Sequence, residues 1–223
     1  MTDTLQPRAA LWDLDGTLLD SAEYHWQAWR ETMAAEGYDL TYERFAASFG
    51  QRNDTILRGH FGPDLPTSEV ERIGEAKEVH YRHLVRTRGV QLLPGVQRWL
   101  LRLRAKGWRQ AIASSAPRLN IETILQVLDI TACLDATVSA EDVQRGKPDP
   151  QVFLVAAGKV TVPPERCIVV EDSPAGVQGG RRAGMRTIGV GPSHATLQAD
   201  WAVRTLDELP DDAFDRLLRQ SQT

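Results

Sequence analysis

The chain has 223 residues, 42% hydrophobic and 25% charged, with a formal net charge of −4. That length suits one main core with a smaller insertion, and the composition is that of a soluble globular protein. The acidic balance speaks against a general nucleic-acid or membrane binder, which needs a basic face, and no run approaches the roughly 20 apolar residues of a membrane span.

An apolar run at residues 8–14 reads as a strand, and it ends in the segment DLDGT, with Asp13, Asp15, Gly16 and Thr17. Residues 20–91 then read as helices throughout. Asp20 and Glu23 predict a capping box, followed by Ala22, Trp26, Trp29 and Met33 at helical spacing up to Gly37. Residues 41–49 and 54–61 predict short helices, and 68–88 a longer one with Ser68 and Glu71 as its capping box. From residue 94 the rhythm changes. Helices at 94–106, 117–128, 149–158 and 174–183 alternate with strands at 108–113, 136–138, 167–171, 186–190 and 201–203. Gly107 and Gly184 stand where helices end, and Asp149-Pro150 reads as an N-cap followed by proline at the first helical position. The alternation predicts an α/β fold, a Rossmann-like parallel sheet with helices on both faces, plus an inserted small all-helical domain. The boundaries expected are a core of residues 1–19 and 92–223, and an insertion of residues 20–91.

Cys133 and Cys167, the two cysteines, make no metal-binding or disulfide pattern and read as small buried hydrophobes in a reducing compartment. The start, MTDTLQPR, carries no visible signal peptide, so a cytoplasmic protein is expected. No heptad or apolar stripe calls for a partner chain, and a monomer is expected.

In a parallel sheet, ligands bind beyond the carboxyl ends of the strands. Those ends deliver Asp13, Asp15 and Thr17, then Ser114 and Ser115, then Lys147 in RGKPDP, and finally Glu171 and Asp172. Carboxylates this crowded raise one another's pKa unless a cation intervenes, and hard Mg²⁺ with its preference for oxygen resolves the repulsion. The ligands assigned are the side chains of Asp13 and Asp172 and the backbone carbonyl of Asp15. Glu171 serves through water or as an acceptor behind them. An aspartate oxygen can then attack phosphorus while Lys147 screens the phosphoryl charge and Ser114 donates to its oxygens. Asp15 is placed to protonate the leaving alkoxide and later to accept a proton. A receiver-type signalling domain also clusters aspartates with a hydroxyl and a lysine, but DLDGT and the helical insertion fit it poorly.

DLDGT, the strand end at Ser114, GKPDP and EDSPAG occur in order over nearly the whole chain. In this the sequence resembles the haloacid dehalogenase superfamily, in the subgroup of β-phosphoglucomutase and related sugar phosphatases. The resemblance implies Asp13 as nucleophile, Asp15 as general acid/base, Mg²⁺ as cofactor, and a helical cap closing over the substrate. His25, in YHWQAW, matches a histidine that helps place the acid/base aspartate. Arg52, in FGQRND, matches the cap arginine that grips the non-transferring phosphate in the mutase, and Thr55 resembles a serine of the substrate loop. Three departures set the chain apart from the mutase. Phe49 stands where the mutase has a lysine. Ser115-Ala116-Pro117-Arg118 replaces a Ser-Lys-Asn group, with Arg118 as a partial substitute. The lysine that partners the mutase histidine has no clean match, Arg82 and His83 lying nearest. Thr17, His25, Arg52, Thr55, Ser115 and Arg118 are therefore the expected substrate-binding residues. The expectation is a Mg²⁺-dependent phosphatase acting on small phosphate esters, sugar phosphates above all. The alternatives are a β-phosphoglucomutase and, further off, a phospho-acceptor without turnover. Neither nucleic acid nor membrane is an expected partner.

Overall fold

Short apolar runs bounded by turns make the strands. β1 (Ala9–Trp12), β2 (Arg109–Ala113), β3 (Ala136–Val138), β4 (Cys167–Glu171), β5 (Arg186–Val190) and β6 (Trp201–Val203) form one six-stranded sheet, in the order β3-β2-β1-β4-β5-β6. Each neighbouring pair is parallel. This computed structural model describes residues 6–219; residues 1–5, which bear on the targeting expectation, lie outside it. All six expected strands are present. β1 is shorter than expected because the chain leaves the ladder after Asp13, whose amide donates to the Val170 carbonyl at 3.0 Å.

Between β1 and β2 come α1 (Ala22–Ala35), α2 (Tyr42–Ser48), α3 (Asn53–Phe61) and α4 (Thr67–Arg88), then α5 (Val96–Ala105). The first three and the start of α4 close on an apolar cluster of their own, which includes Trp29, Met33, Phe45, Leu57 and Ile73. α6 (Arg118–Leu128), α7 (Gln151–Lys159), α8 (Pro174–Arg182) and α9 (Ala213–Arg219) follow. Period-2 alternation sends Ala10 and Trp12 of β1 to one face, with residues of α5, α6 and α9, and sends Ala9 and Leu11 to the other, with residues of α7. Each fully buried large apolar side chain contributes about 1.5–3 kcal/mol, so both faces are anchored by their helices. Among the described residues, no helix is long and apolar enough to cross a membrane.

Three expected caps are rearranged. α1 begins at Ala22 with Ser21 at its N-cap, and the Ser21 side chain makes no capping bond. Its hydroxyl donates to Asp15 instead. α4 begins at Thr67 after Pro66, which places Ser68 inside the first turn. α7 begins at Gln151, one residue later than expected, with the Asp149 carboxylate accepting its amide at 3.0 Å. α9 closes the sheet where no helix was expected.

Candidate active site

The strand order reverses between β1 and β4, and the crevice beyond their carboxyl ends is where such sheets hold ligands. A cavity of about 150 Å³ lies there, lined by Asp13, Asp15, Ser114, Ser115, Lys147, Glu171 and Asp172 from the sheet side. Trp29, Phe49, Gln51, Asn53 and Ile56 line it from the inserted helices. Gly16 makes the close approach of the two strand ends possible. It sits at φ +83°, and a Cβ there would lie 2.1 Å from Asp172 Oδ2. Gly176 does the same for Glu171, whose carboxylate would meet a Cβ at 1.9 Å.

Lys147 donates to both Asp13 and Glu171. The other Glu171 oxygen accepts the amide and the hydroxyl of Ser173, each at 2.9 Å, so Glu171 is a buried post holding the lysine and the start of α8. Ser114 Oγ accepts the Ala116 amide at 3.0 Å, which turns the chain after β2 toward the cavity. Asp13, Glu171 and Asp172 offer carboxylate oxygens within 4.8 Å of one another. Burial pushes the Asp13 carboxyl well above its usual range, Lys147 opposes this, and Glu171 and Asp172 add to it. Burial and Glu171 together push Asp172 up to about 7. Three carboxylates facing one lysine leave a deficit of positive charge, and an all-oxygen donor set fits a hard divalent cation.

Asp15 occupies a separate corner. Its Oδ1 accepts from the Ser21 hydroxyl, from His25 Nε2 at 3.2 Å and from the Tyr81 hydroxyl at 3.4 Å. Burial raises its pKa, but His25, Ser21 and Lys77 outweigh that and hold the carboxyl below its usual value. His25 stacks on Tyr81, with ring centroids 4.0 Å apart, and Lys77 Nζ lies 2.9 Å from its Nδ1. An ammonium group can only donate, so Nδ1 is the acceptor, and Nε2 carries the proton that points at Asp15. Burial and Lys77 depress the His25 pKa, which keeps the ring neutral. The lysine that was missing from the sequence reading is thus Lys77, not Arg82 or His83.

The profile of the haloacid dehalogenase-like hydrolase family matches residues 7–184. This chain belongs to that family. The matched span contains every residue that lines the cavity. Among curated relatives, the β-phosphoglucomutase of Bacillus subtilis (strain 168) is 32% identical over 213 residues, 91% of each chain. Hexitol phosphatase A of Escherichia coli (strain K12) is 35% identical over 185 residues, 81% of each. Among solved structures, β-phosphoglucomutase from Clostridium difficile superposes with a TM-score of 0.87 at 26% identity, covering 96% of this chain and 98% of that one.

In this haloacid dehalogenase-like hydrolase the expected substrate-binding residues divide. His25 and Ser115 line the cavity. Arg52, Thr55, Arg118 and Thr17 do not. The Arg52 guanidinium donates to the carbonyls of Ala140 at 3.0 Å and Val143 at 3.4 Å, and to Asp54 at 3.2 Å, so it fastens the start of α3 to the core. Arg118 is drawn to Asp142 at 3.2 Å on the surface. Thr55 faces a different hollow beside Arg44 and His60. Thr17 is fully buried, its hydroxyl without a partner among the described residues. Besides Lys77, the sequence reading passed over Ser21, Tyr81, Asn53 and Glu78. For Lys77 and Tyr81 the signal was the phase of α4, where they are one turn apart and share a face.

Proposed function

We propose that the chain is a Mg²⁺-dependent phosphatase for small phosphate monoesters, sugar phosphates above all, acting through a phospho-Asp13 intermediate. Residues 20–91 act as a cap over a core of residues 1–19 and 92–223. The observation that carries the phosphatase reading is the set of cations around the cavity. Among the described residues lining it, the lysines are Lys147, paired with Asp13 and Glu171, and Lys77, paired with Glu78; no arginine lines it. One phosphate finds a cationic partner there, and a second does not. A mutase has to hold a bisphosphate at both ends and keep water out while it turns round.

Asp13 attacks phosphorus and the P–O bond to the sugar breaks; Asp15, ionised in the free site, takes up a proton as substrate binds and passes it to the departing oxygen. Water, giving its proton to Asp15, then attacks the phospho-aspartate, releasing inorganic phosphate and restoring Asp13. Lys147 and the Ser114 hydroxyl hold the phosphoryl oxygens. Asp13, Asp172 and the Asp15 carbonyl would hold Mg²⁺, which offsets the charge of the incoming phosphoryl group. The cap limits the access of water during the first step.

The second reading, a β-phosphoglucomutase, is favoured by the Lys77–His25 pair, which removes one of the three departures, and by the relative of that name. A phosphorus-NMR time course separates the two. The protein is given Mg²⁺, β-glucose 1-phosphate and a trace of the 1,6-bisphosphate, with other sugar phosphates in parallel. Growth of inorganic phosphate is the expected result. Growth of glucose 6-phosphate without inorganic phosphate would overturn the phosphatase reading in favour of the mutase.

A further inference from the structure

The corner that holds Asp15 is not the end of its hydrogen-bond chain. Glu78 Oε1 accepts from Lys77 Nζ at 2.9 Å and from Asn53 Nδ2 at 2.7 Å. Its other oxygen accepts from Asn120 Nδ2, on α6, at 2.5 Å. The Asn120 carbonyl oxygen accepts from Arg82 at 3.1 Å. A guanidinium only donates, so this bond fixes which way the amide of Asn120 faces and directs its N–H at Glu78. Lys77 and Glu78 are each 2% exposed, and Asn120 is fully buried. One unbroken path therefore runs from a helix of the sheet layer, through Glu78, Lys77 and His25, to Asp15.

We propose that Asn120 is a positioning residue for Asp15, acting through Glu78, Lys77 and His25 when α4 sits against α6. This rests on the reading of Asp15 as the acid/base. Beside the apolar contacts that Tyr81, Leu84 and Val85 make in the core cluster, polar side chains bridge the two helices. Glu78, Arg82 and Arg86 follow one another at every fourth residue of α4, facing Asn120 and Thr123, the last accepting from Arg86 at 3.0 Å. Each of these bonds has a charged partner and contributes about 1.5–3 kcal/mol, and water replaces it when the helices part. α4 joins the core cluster through Tyr81, Leu84 and Val85 toward its carboxyl end, and Glu78 lies about 15 Å up the helix from Arg88. A swing of the cap about that end separates Glu78 from Asn120 before it separates Arg86 from Thr123. Glu78 then loses its outer donor, Lys77 is free to follow its carboxylate away from His25, and Nδ1 of the imidazole is no longer obliged to accept. The proton on Nε2 that holds Asp15 is no longer assured. Proton transfer to the leaving group is thus tied to docking of α4 on α6.

The test is a rate series on aryl phosphates, from p-nitrophenyl phosphate, whose leaving group needs no proton, to p-methoxyphenyl phosphate, whose leaving group does. Thermal unfolding checks each variant. Asn120→Ala is expected to lose about tenfold or more in kcat/KM on p-methoxyphenyl phosphate and less than about twofold on p-nitrophenyl phosphate, because kcat/KM reports the first phosphoryl transfer and not the water step that Asp15 also serves. Asn120→Asp keeps the volume but sets a carboxylate against Glu78, and the same pattern is expected of it should the alanine variant not fold. Equal losses across the series, or none, in the folded variant would overturn the inference. Asp15→Asn supplies the reference. If its own losses in kcat/KM are equal across the series, the reading of Asp15 as the acid falls, and this inference with it. A leaving-group-dependent Asp15→Asn beside an indifferent Asn120 variant overturns this inference alone.

Discussion

Asp13 shares Lys147 with Glu171 and has Asp172 as a further close neighbour, so the negative charge that the proposed chemistry requires of it is opposed by its surroundings. Asp13→Asn is therefore expected to lower turnover by at least about a thousandfold while keeping the fold. It should also raise Tm in the absence of divalent ions, because one of the crowded charges is gone, and Mg²⁺ should raise the Tm of wild type more than that of the variant. Activity above a few per cent, or a Tm that falls, would contradict this. Asp142 gives the opposite case. Burial raises its pKa, but the Ser139 amide and hydroxyl, Lys159 and Arg118 outweigh that and hold it well below the usual value. A pKa lowered on folding adds stability above the unfolded value that is lost as pH falls. Asp142→Asn should thus lower Tm at neutral pH, and the gap should close as pH drops below about 4. At this scale the sheet side of the site was legible, because strand ends announce what they carry. Lys77 was not. A charged residue in a helix reads as solvated, and only the packing of α4 against His25 buries it.

Elements were legible wherever an apolar run or a helical period stood between turn signals, and all six strands and the eight helices before α9 were anticipated. The misses have physical causes. The expected capping box at Asp20 and Glu23 does not form because Ser21 takes the N-cap, and its hydroxyl is committed to Asp15. α9 has seven residues, too short to stand out, and exists because tertiary packing supplies what length does not. Its Phe214, 1% exposed, meets the rings of Trp12, Trp99 and Trp108 with centroids 4.8–6.0 Å apart. Phe214→Ala should cost about 3–5 kcal/mol in chemical unfolding. A loss below about 1 kcal/mol would mean that α9 is dispensable to the core.

At the scale of the whole molecule, the parallel sheet brings residues far apart in sequence to one crevice, and the helical insertion roofs it. Arg52 acts at this scale, because its guanidinium ties α3 to carbonyls of the core. Arg52→Ala is expected to raise KM for monophosphates about three- to tenfold by loosening closure, with no added effect on bisphosphates. A loss confined to bisphosphates would return it to the role of distal phosphate anchor. That role was expected from the sequence because the motif gives the position of an arginine but not the partners it finds. The central claim is that Asp13 carries the phosphoryl group between substrate and water. The most direct measurement is mass mapping of enzyme quenched in acid during turnover of a sugar phosphate that it hydrolyses. One phosphoryl group on the peptide containing Asp13, absent from Asp13→Asn, is the result predicted. A phosphoryl group on Ser114 or His25, or an enzyme that hydrolyses substrate with none bound, would contradict it.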